Sequence, residues 1–135
     1  AGLLDAGGLS CKVLDKTEYT KSMLEKLIWI SAMMLVGAKH KVTVGEVESA
    51  HTAEVSRLIT ELASAGSAEL GITLDEGCVE RLLAYARSVA HFPTAVKEFS
   101  WRNGWFYGIS KAKMDAGDAD PMPFHTELLK EVGAI

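Results

Sequence analysis

Lys26 is the residue of this chain whose type and setting most directly offer chemistry. It is the last charge before the run Leu27 to Ala38, in which only Ser31 and Gly37 are not apolar. A lysine whose stem lies in apolar surroundings can have its ammonium destabilised and can then move protons. A lysine can equally snorkel, laying its stem on apolar surface with its head in water. The residues alone leave both roles open.

The other reactive side chains are scattered. His40, His51, His91 and His125 occur singly, without the His-x-x-Glu-His or His-x-x-x-His spacing of zinc sites, so no metal is expected. Each reads as a satisfied or solvent-exposed histidine. Cys11 and Cys78 lie too far apart in sequence for a metal pair and are too few for a disulfide framework. A reducing, intracellular compartment, cytoplasmic or organellar, is the default expectation. Ala6-Gly7-Gly8 only faintly resembles a phosphate loop: no strand precedes it and no Walker lysine follows, so no nucleotide site is expected in this chain. A Gly-x-Ser-x-Gly elbow is absent.

The elements that must position Lys26 read as helices. The apolar run is dense enough to be the nearly enclosed central helix of a helical core. Asp15 and Thr17 are candidate N-caps for it, and Lys39, His40 and Lys41 suit the negative end of its dipole. Val42 to Val47 reads as a turn. A second helix is predicted over 52–70, with Val55, Leu58, Ile59, Leu62 and Ala65 at helical spacing and Gly71 as its stop. Thr73-Leu-Asp-Glu76 reads as a capping box opening a third helix, whose stripe is Val79, Leu82, Leu83, Ala86, Val89 and Ala90. Phe92-Pro93 breaks that helix, and Pro93 can begin the next. Asn103-Gly104 marks a turn before a helix from Trp105 to about Met114. Pro123 starts a last helix bearing Phe124, Leu128, Leu129 and Val132. The class is all-α, with about six helices.

Length and composition agree with this. One domain of 135 residues, 48% hydrophobic and 24% charged, can bury a sizeable core. A formal net charge of −4 with scattered basic residues argues against a nucleic-acid partner. The uncharged run is too short to span a bilayer, so no membrane partner is expected. Five of the ten aromatic residues, Phe99, Trp101, Trp105, Phe106 and Tyr107, fall within nine positions. They read as a packed corner between helices or as an interface. The chain opens on Ala1, and its first eight residues read as the end of a helix with a glycine stop, followed by a strand-like Cys11–Leu14. Residues 1–14 are therefore expected to be the remnant of a preceding domain or linker, and 15–135 the all-α domain.

Three local patterns occur in one order: Glu25-Lys26-Leu27 followed by Gly45-Glu46-Val47, then His91-Phe-Pro-Thr94-Ala-Val-Lys-Glu98 shortly after Arg81–Arg87, and Met122-Pro123-Phe-His-Thr126-Glu-Leu-Leu129 near the end. This arrangement resembles the C-terminal domain of the ketopantoate reductase family, NADPH-dependent enzymes that reduce a 2-keto acid. The resemblance implies an all-α fold similar to the phosphogluconate dehydrogenase C-terminal domain, preceded in the whole protein by a Rossmann domain that holds NADP. It implies that Lys26 is the catalytic lysine, binding substrate and giving the proton as hydride reaches the keto carbon. Thr94 falls on a substrate-binding serine, His91 on an asparagine and Glu98 near an aspartate.

The chain departs from the family where its asparagines hold lysine and substrate: those positions are Ile30, Met34 and Val44. The family's substrate-binding glutamate falls near Phe106. Together these residues would line an apolar pocket, suited to a substrate bulkier or more apolar than ketopantoate. Two functions are weighed. One is the substrate-binding and dimerisation half of a divergent NAD(P)-dependent reductase, forming a homodimer and inactive without its cofactor domain. The other is a non-catalytic helical module for dimerisation or partner binding.

Overall fold

A computed structural model of the chain describes residues 6–94 and 102–135, giving only the backbone for residues 6–17. Six α-helices follow one another: α1 (Ala6–His40), α2 (Val44–Ala50), α3 (Thr52–Leu70), α4 (Cys78–Ser88), α5 (Asn103–Asp115) and α6 (Pro123–Glu131). The described residues contain no strand. Among them no single helix is long and apolar enough to cross a membrane.

Helix α1 is the axis of the fold, and α2, α3, α4 and α6 pack directly on it while α5 packs on α3 and α6. Its seven residues Ser31–Gly37 are all buried, as a helix that is apolar on every side requires. Val55, Leu58, Ile59, Leu62 and Ala65 of α3 are buried on one stripe, the period expected of an amphipathic helix. Gly66 continues that stripe and packs against α1: a Cβ there would lie 3.0 Å from Leu24 Cδ1. Gly71 ends α3 in the left-handed conformation at φ 66°, its N–H reaching back to Ala68.

Several local expectations are corrected. The backbone is helical through residues 11–14, so the strand expected there does not form; four residues without a partner strand cannot hold a ladder. α1 therefore starts well before Asp15 and Thr17, and it crosses residue 14 without a break. The supposed turn after Val42 is the helix α2, which buries Val44 and Val47. Thr73–Glu76 is not a capping box. Helix α4 begins at Cys78, after Gly77 at φ 82°, because the preceding backbone serves Arg81, whose guanidinium takes the carbonyls of Asp75 and Glu76. The end of α4 at Ser88 comes four residues before Phe92-Pro93. Asn103-Gly104 belongs to α5 itself. Whether Pro93 begins a helix falls on residues outside those described.

A buried polar tie joins three helices. The Asn103 amide of α5 donates both to the Ser31 carbonyl of α1 (3.2 Å) and to His125 Nε2 of α6 (3.1 Å). Accepting at Nε2 leaves the imidazole proton on Nδ1. Glu61 of α3 accepts the backbone N–H groups of Phe124 (3.1 Å) and His125 (2.7 Å), a carboxylate cap on the exposed donors of the first turn of α6. Burial holds His125 well below its ordinary value, at about 4, against a small opposing pull from Asp120.

This has a consequence for stability. The unfolded chain takes up a proton at His125 below about pH 6.5, whereas the folded chain stays neutral there down to about 4. The contribution is therefore complete above the unfolded value and is lost as pH falls towards 4, by about 3 kcal/mol in all. Glu61, pushed up by burial, works in the opposite direction. The two are separated by comparison: urea denaturation at pH 7.5 and 4.5 should show a markedly smaller loss for His125→Gln than for the native chain. Equal losses would remove His125 from this role.

Candidate functional site

An open groove of about 880 Å³ lies along one face of α1. Helical spacing puts Met23, Lys26, Leu27, Ile30 and Met34 along that wall. Leu70 at the end of α3, Tyr85 of α4, Phe92, and Trp105 of α5 form the rest, with Arg102 at the edge. Trp29 packs edge-on to Tyr85, ring centroids 4.9 Å apart. The groove is thus apolar in nearly all its surface. Met23 and Tyr85, each 52% exposed, stand at its mouth.

Lys26 is the cation on this wall, exposed and without a hydrogen bond or ion pair to any described residue. Its neighbour Glu25 is held elsewhere, by Arg81 through two contacts: Nη2 to Oε2 at 2.5 Å and Nε to Oε1 at 3.3 Å. The nearest carboxylate in sequence is therefore committed to a guanidinium, a bidentate pairing that a lysine would not displace. The buried indole N–H of Trp29 has no acceptor among the described residues. The site consists of an ammonium that can donate to an oxygen and an apolar trough beside it.

The residues singled out from the sequence divide between this groove and other places. Lys26, Ile30 and Met34 come together in it. Thr94 does not. Its hydroxyl donates to the Val42 carbonyl at 2.5 Å, and it lines a second, more polar cleft of about 1150 Å³ with Lys39, Lys41, Thr43, Glu46 and Glu131. His91 is exposed, its ring edge-on to Phe92. Phe106 is fully buried between Trp105 and His125, so its side chain fills the core and lines neither cleft. Val44 is likewise fully buried, in the interior under α2. Glu98, Phe99 and Trp101 lie outside the described residues. The described part of the aromatic cluster is chiefly packing, with Trp105 at the groove. Leu70, Tyr85 and Phe92 carry no local signal of a shared site, since only the tertiary fold gathers them.

Two of the sequence patterns do meet. The N–H groups of Val44 and Gly45, which open α2, donate to the carbonyls of Phe92 (3.0 Å) and Ala90 (2.9 Å). This close contact needs glycine, because a Cβ on Gly45 would lie 2.6 Å from that of Ala90. Gly37 plays the same part against Thr94, where a Cβ would come within 2.3 Å of the threonine side chain. Gly37→Ala would ordinarily stabilise a helix by about 1 kcal/mol. Here overpacking should reverse the sign, at a cost of about 1–3 kcal/mol. Thermal unfolding checks this, and Thr94→Gly in the Gly37→Ala background should recover most of the loss. If Gly37→Ala alone raises stability, the contact is not as described.

No family model matches this chain, and no curated protein does. Among solved structures, the ternary structure of D-mandelate dehydrogenase with NADH and anilino(oxo)acetate is similar to it. The TM-score is 0.61 at 19% identity, covering 98% of this chain and 42% of that one. At that identity the likeness is one of fold. The chain spans less than half the length of the structure it matches.

Proposed function

We propose that this chain is the substrate-binding half of a nicotinamide-dependent reductase of the ketopantoate reductase type, with Lys26 as its proton donor. The observation that carries the reading is the ammonium of Lys26, uncommitted among the described residues, on the wall of an open apolar groove. The fold it shares with D-mandelate dehydrogenase, an NADH-bound enzyme in that structure, supports the reductase class. The substrate would be a 2-keto acid, or a bulkier apolar carbonyl compound, since Ile30 and Met34 stand where polar partners of a small hydroxylated acid would be needed.

The sequence carries neither a Gly-x-Gly-x-x-Gly nor a Walker lysine. On this reading the cofactor, NADP by resemblance, belongs to the part of the enzyme outside this chain and supplies the hydride. What this chain contributes follows from its side chains. Lys26 Nζ donates a hydrogen bond to the carbonyl oxygen, stabilises the charge that develops there and gives up the proton that completes the hydroxyl. Met23, Ile30, Met34, Trp29 and Tyr85 receive the apolar body and exclude water, which strengthens the ammonium's pull on that oxygen. Trp29, which also lines the groove, carries a buried indole N–H without an acceptor among the described residues. Thr94 and His91 do not line the groove and have no role in this reading.

The test uses the longer protein that carries this chain with its cofactor domain. NADPH or NADH oxidation is followed with 2-keto acids of increasing apolar bulk. Lys26→Met should lower kcat by about 10²–10⁴-fold with a much smaller change in KM, and the chain alone should turn nothing over. Unchanged turnover in Lys26→Met would end the assignment. So would a longer protein that neither binds a nicotinamide nor consumes it with any of these substrates.

A second reading rests on a separate observation: Tyr19, Met23, Tyr85 and Phe92, 65, 52, 52 and 40% exposed, rim the groove with apolar surface. Such a rim suits a homodimer or another protein partner. A homodimer that dissociates on Tyr85→Glu, in a protein with no nicotinamide binding, would favour this module over the reductase.

A further inference from the structure

The C-terminal end of α1 and the start of α3 bring together three metal-ligating side chains, His40 on the first and the His51–Glu54 pair at the second. The donor atoms of His40, His51 and Glu54 all lie within 4.8 Å of one another, and the three residues are half-buried. His40 Nε2 is 2.6 Å from Glu54 Oε1. The His40 and His51 rings stack at 3.7 Å, 9° from parallel. Their backbones are fixed: His51 sits at the junction of α2 and α3, its N–H donating to Val47 and its carbonyl accepting from Val55.

We propose that His40, His51 and Glu54 form a binding site for a divalent transition-metal ion of the zinc type, with its fourth position open to water. Two imidazoles and one carboxylate are the donor set of three-ligand zinc sites. Zinc–ligand lengths of about 2.0–2.2 Å place tetrahedral donors roughly 3.3–3.5 Å apart. The 2.6 Å contact between His40 and Glu54 must lengthen to reach that spacing, as the ion replaces the hydrogen bond between them. The stack must open in doing so, because the ion lies in the plane of each ring it binds. His51 and Glu54 stand three residues apart at the start of α3, and the fold brings His40 to them from the end of α1.

One charge opposes the ion. Lys39 Nζ is 2.8 Å from Glu54 Oε2, the oxygen not used by His40. Glu131 Oε1, 3.5 Å away, is a second acceptor onto which Lys39 can move. The bland role of the cluster is an ion-paired clasp between α1 and α3, and Lys39 separates the two roles. As a clasp, the cluster is weakened by Lys39→Met. As a metal site, it binds its ion more tightly when that ammonium is gone.

The chain is titrated with Zn²⁺ and with Co²⁺. The expected result is one ion per chain, with cobalt d–d bands and no thiolate charge-transfer band. Affinity should fall by at least about tenfold in His51→Ala and His40→Ala, rise in Lys39→Met, and persist with Cys11 and Cys78 both changed to serine. Zinc should also raise the melting temperature of the native chain but not of His51→Ala, since a ligand for the folded state stabilises it. His51→Gln, with circular dichroism alongside, guards against loss of fold. Absence of saturable uptake, uptake unaffected by the histidine substitutions, or uptake lost with the cysteines overturns the proposal.

Discussion

The uncharged run of α1 has to be covered on every side, and the rest of the molecule is arranged to do it. Ser31–Gly37 are buried without interruption, and α2, α3, α4 and α6 each contribute to the cover. Burying a large aliphatic side chain stabilises by about 1.5–3 kcal/mol. An exposed ion pair such as Arg87–Glu48 contributes at most about 1 kcal/mol. The apolar term therefore decides which helices pack where, and the ion pairs decorate the result. Close cover also explains three glycines. Gly37 and Gly45 stand where Thr94 and Ala90 come too near for a side chain to intervene, and Gly66 where the end of Leu24 packs tightly.

Apolar cover fixes that helices pack, but it is less particular about which turn meets which. The polar groups inside the core supply that choice. Asn103 can satisfy Ser31 and His125 together only in one register of α1, α5 and α6. Glu61 reaches the first turn of α6 only if α3 lies beside it. A slip of one turn would strand these groups without water, at about 1–3 kcal/mol for each unsatisfied group. The tie is therefore a constraint on register as much as a source of stability.

The helices that show one clear apolar stripe were legible in the sequence. α3 appears with its full stripe and its glycine stop, and α6 with Pro123 in its first turn. The enclosed stretch of α1 was legible for the same reason, and so was the groove wall it provides, because residues at i, i+4 and i+8 from Lys26 share a face. Wherever a long-range partner outweighs a local signal, the sequence misleads. Thr73–Glu76 has the letters of a capping box, yet Arg81 claims the backbone carbonyls there. Phe106 falls near a substrate-binding position of the resembled family, yet the core takes it, as the packed-corner reading of its cluster expects. Tyr85 and Leu70 reach the groove from separate helices, and His40 meets the His51–Glu54 pair only because one helix ends where another starts. Such groupings have no period and no fixed spacing, so nothing local can announce them.

Lys26 sits where the cover of α1 runs out. Two turns further on, the helix is enclosed by its neighbours; at Lys26 one face is open. An exposed ammonium keeps its hydration, and water weakens its pull on any oxygen nearby. The groove removes water from the apolar side alone, so under either proposal the remaining side would be closed by what binds there. Closure would do two things at once: bury the rim of Met23, Tyr85 and Phe92, and strip the ammonium of its hydration. The first supplies binding energy, and the second makes the ammonium a stronger partner for developing negative charge. On the reductase reading these are one event, the arrival of an apolar carbonyl compound against the lysine. On the module reading the rim is buried by protein, and Lys26 then needs a carboxylate from that partner, since an ammonium buried without one is costly. The chemical character of whatever closes the groove, an acceptor oxygen within reach of Nζ set in an otherwise apolar surface, is thus the same requirement in both.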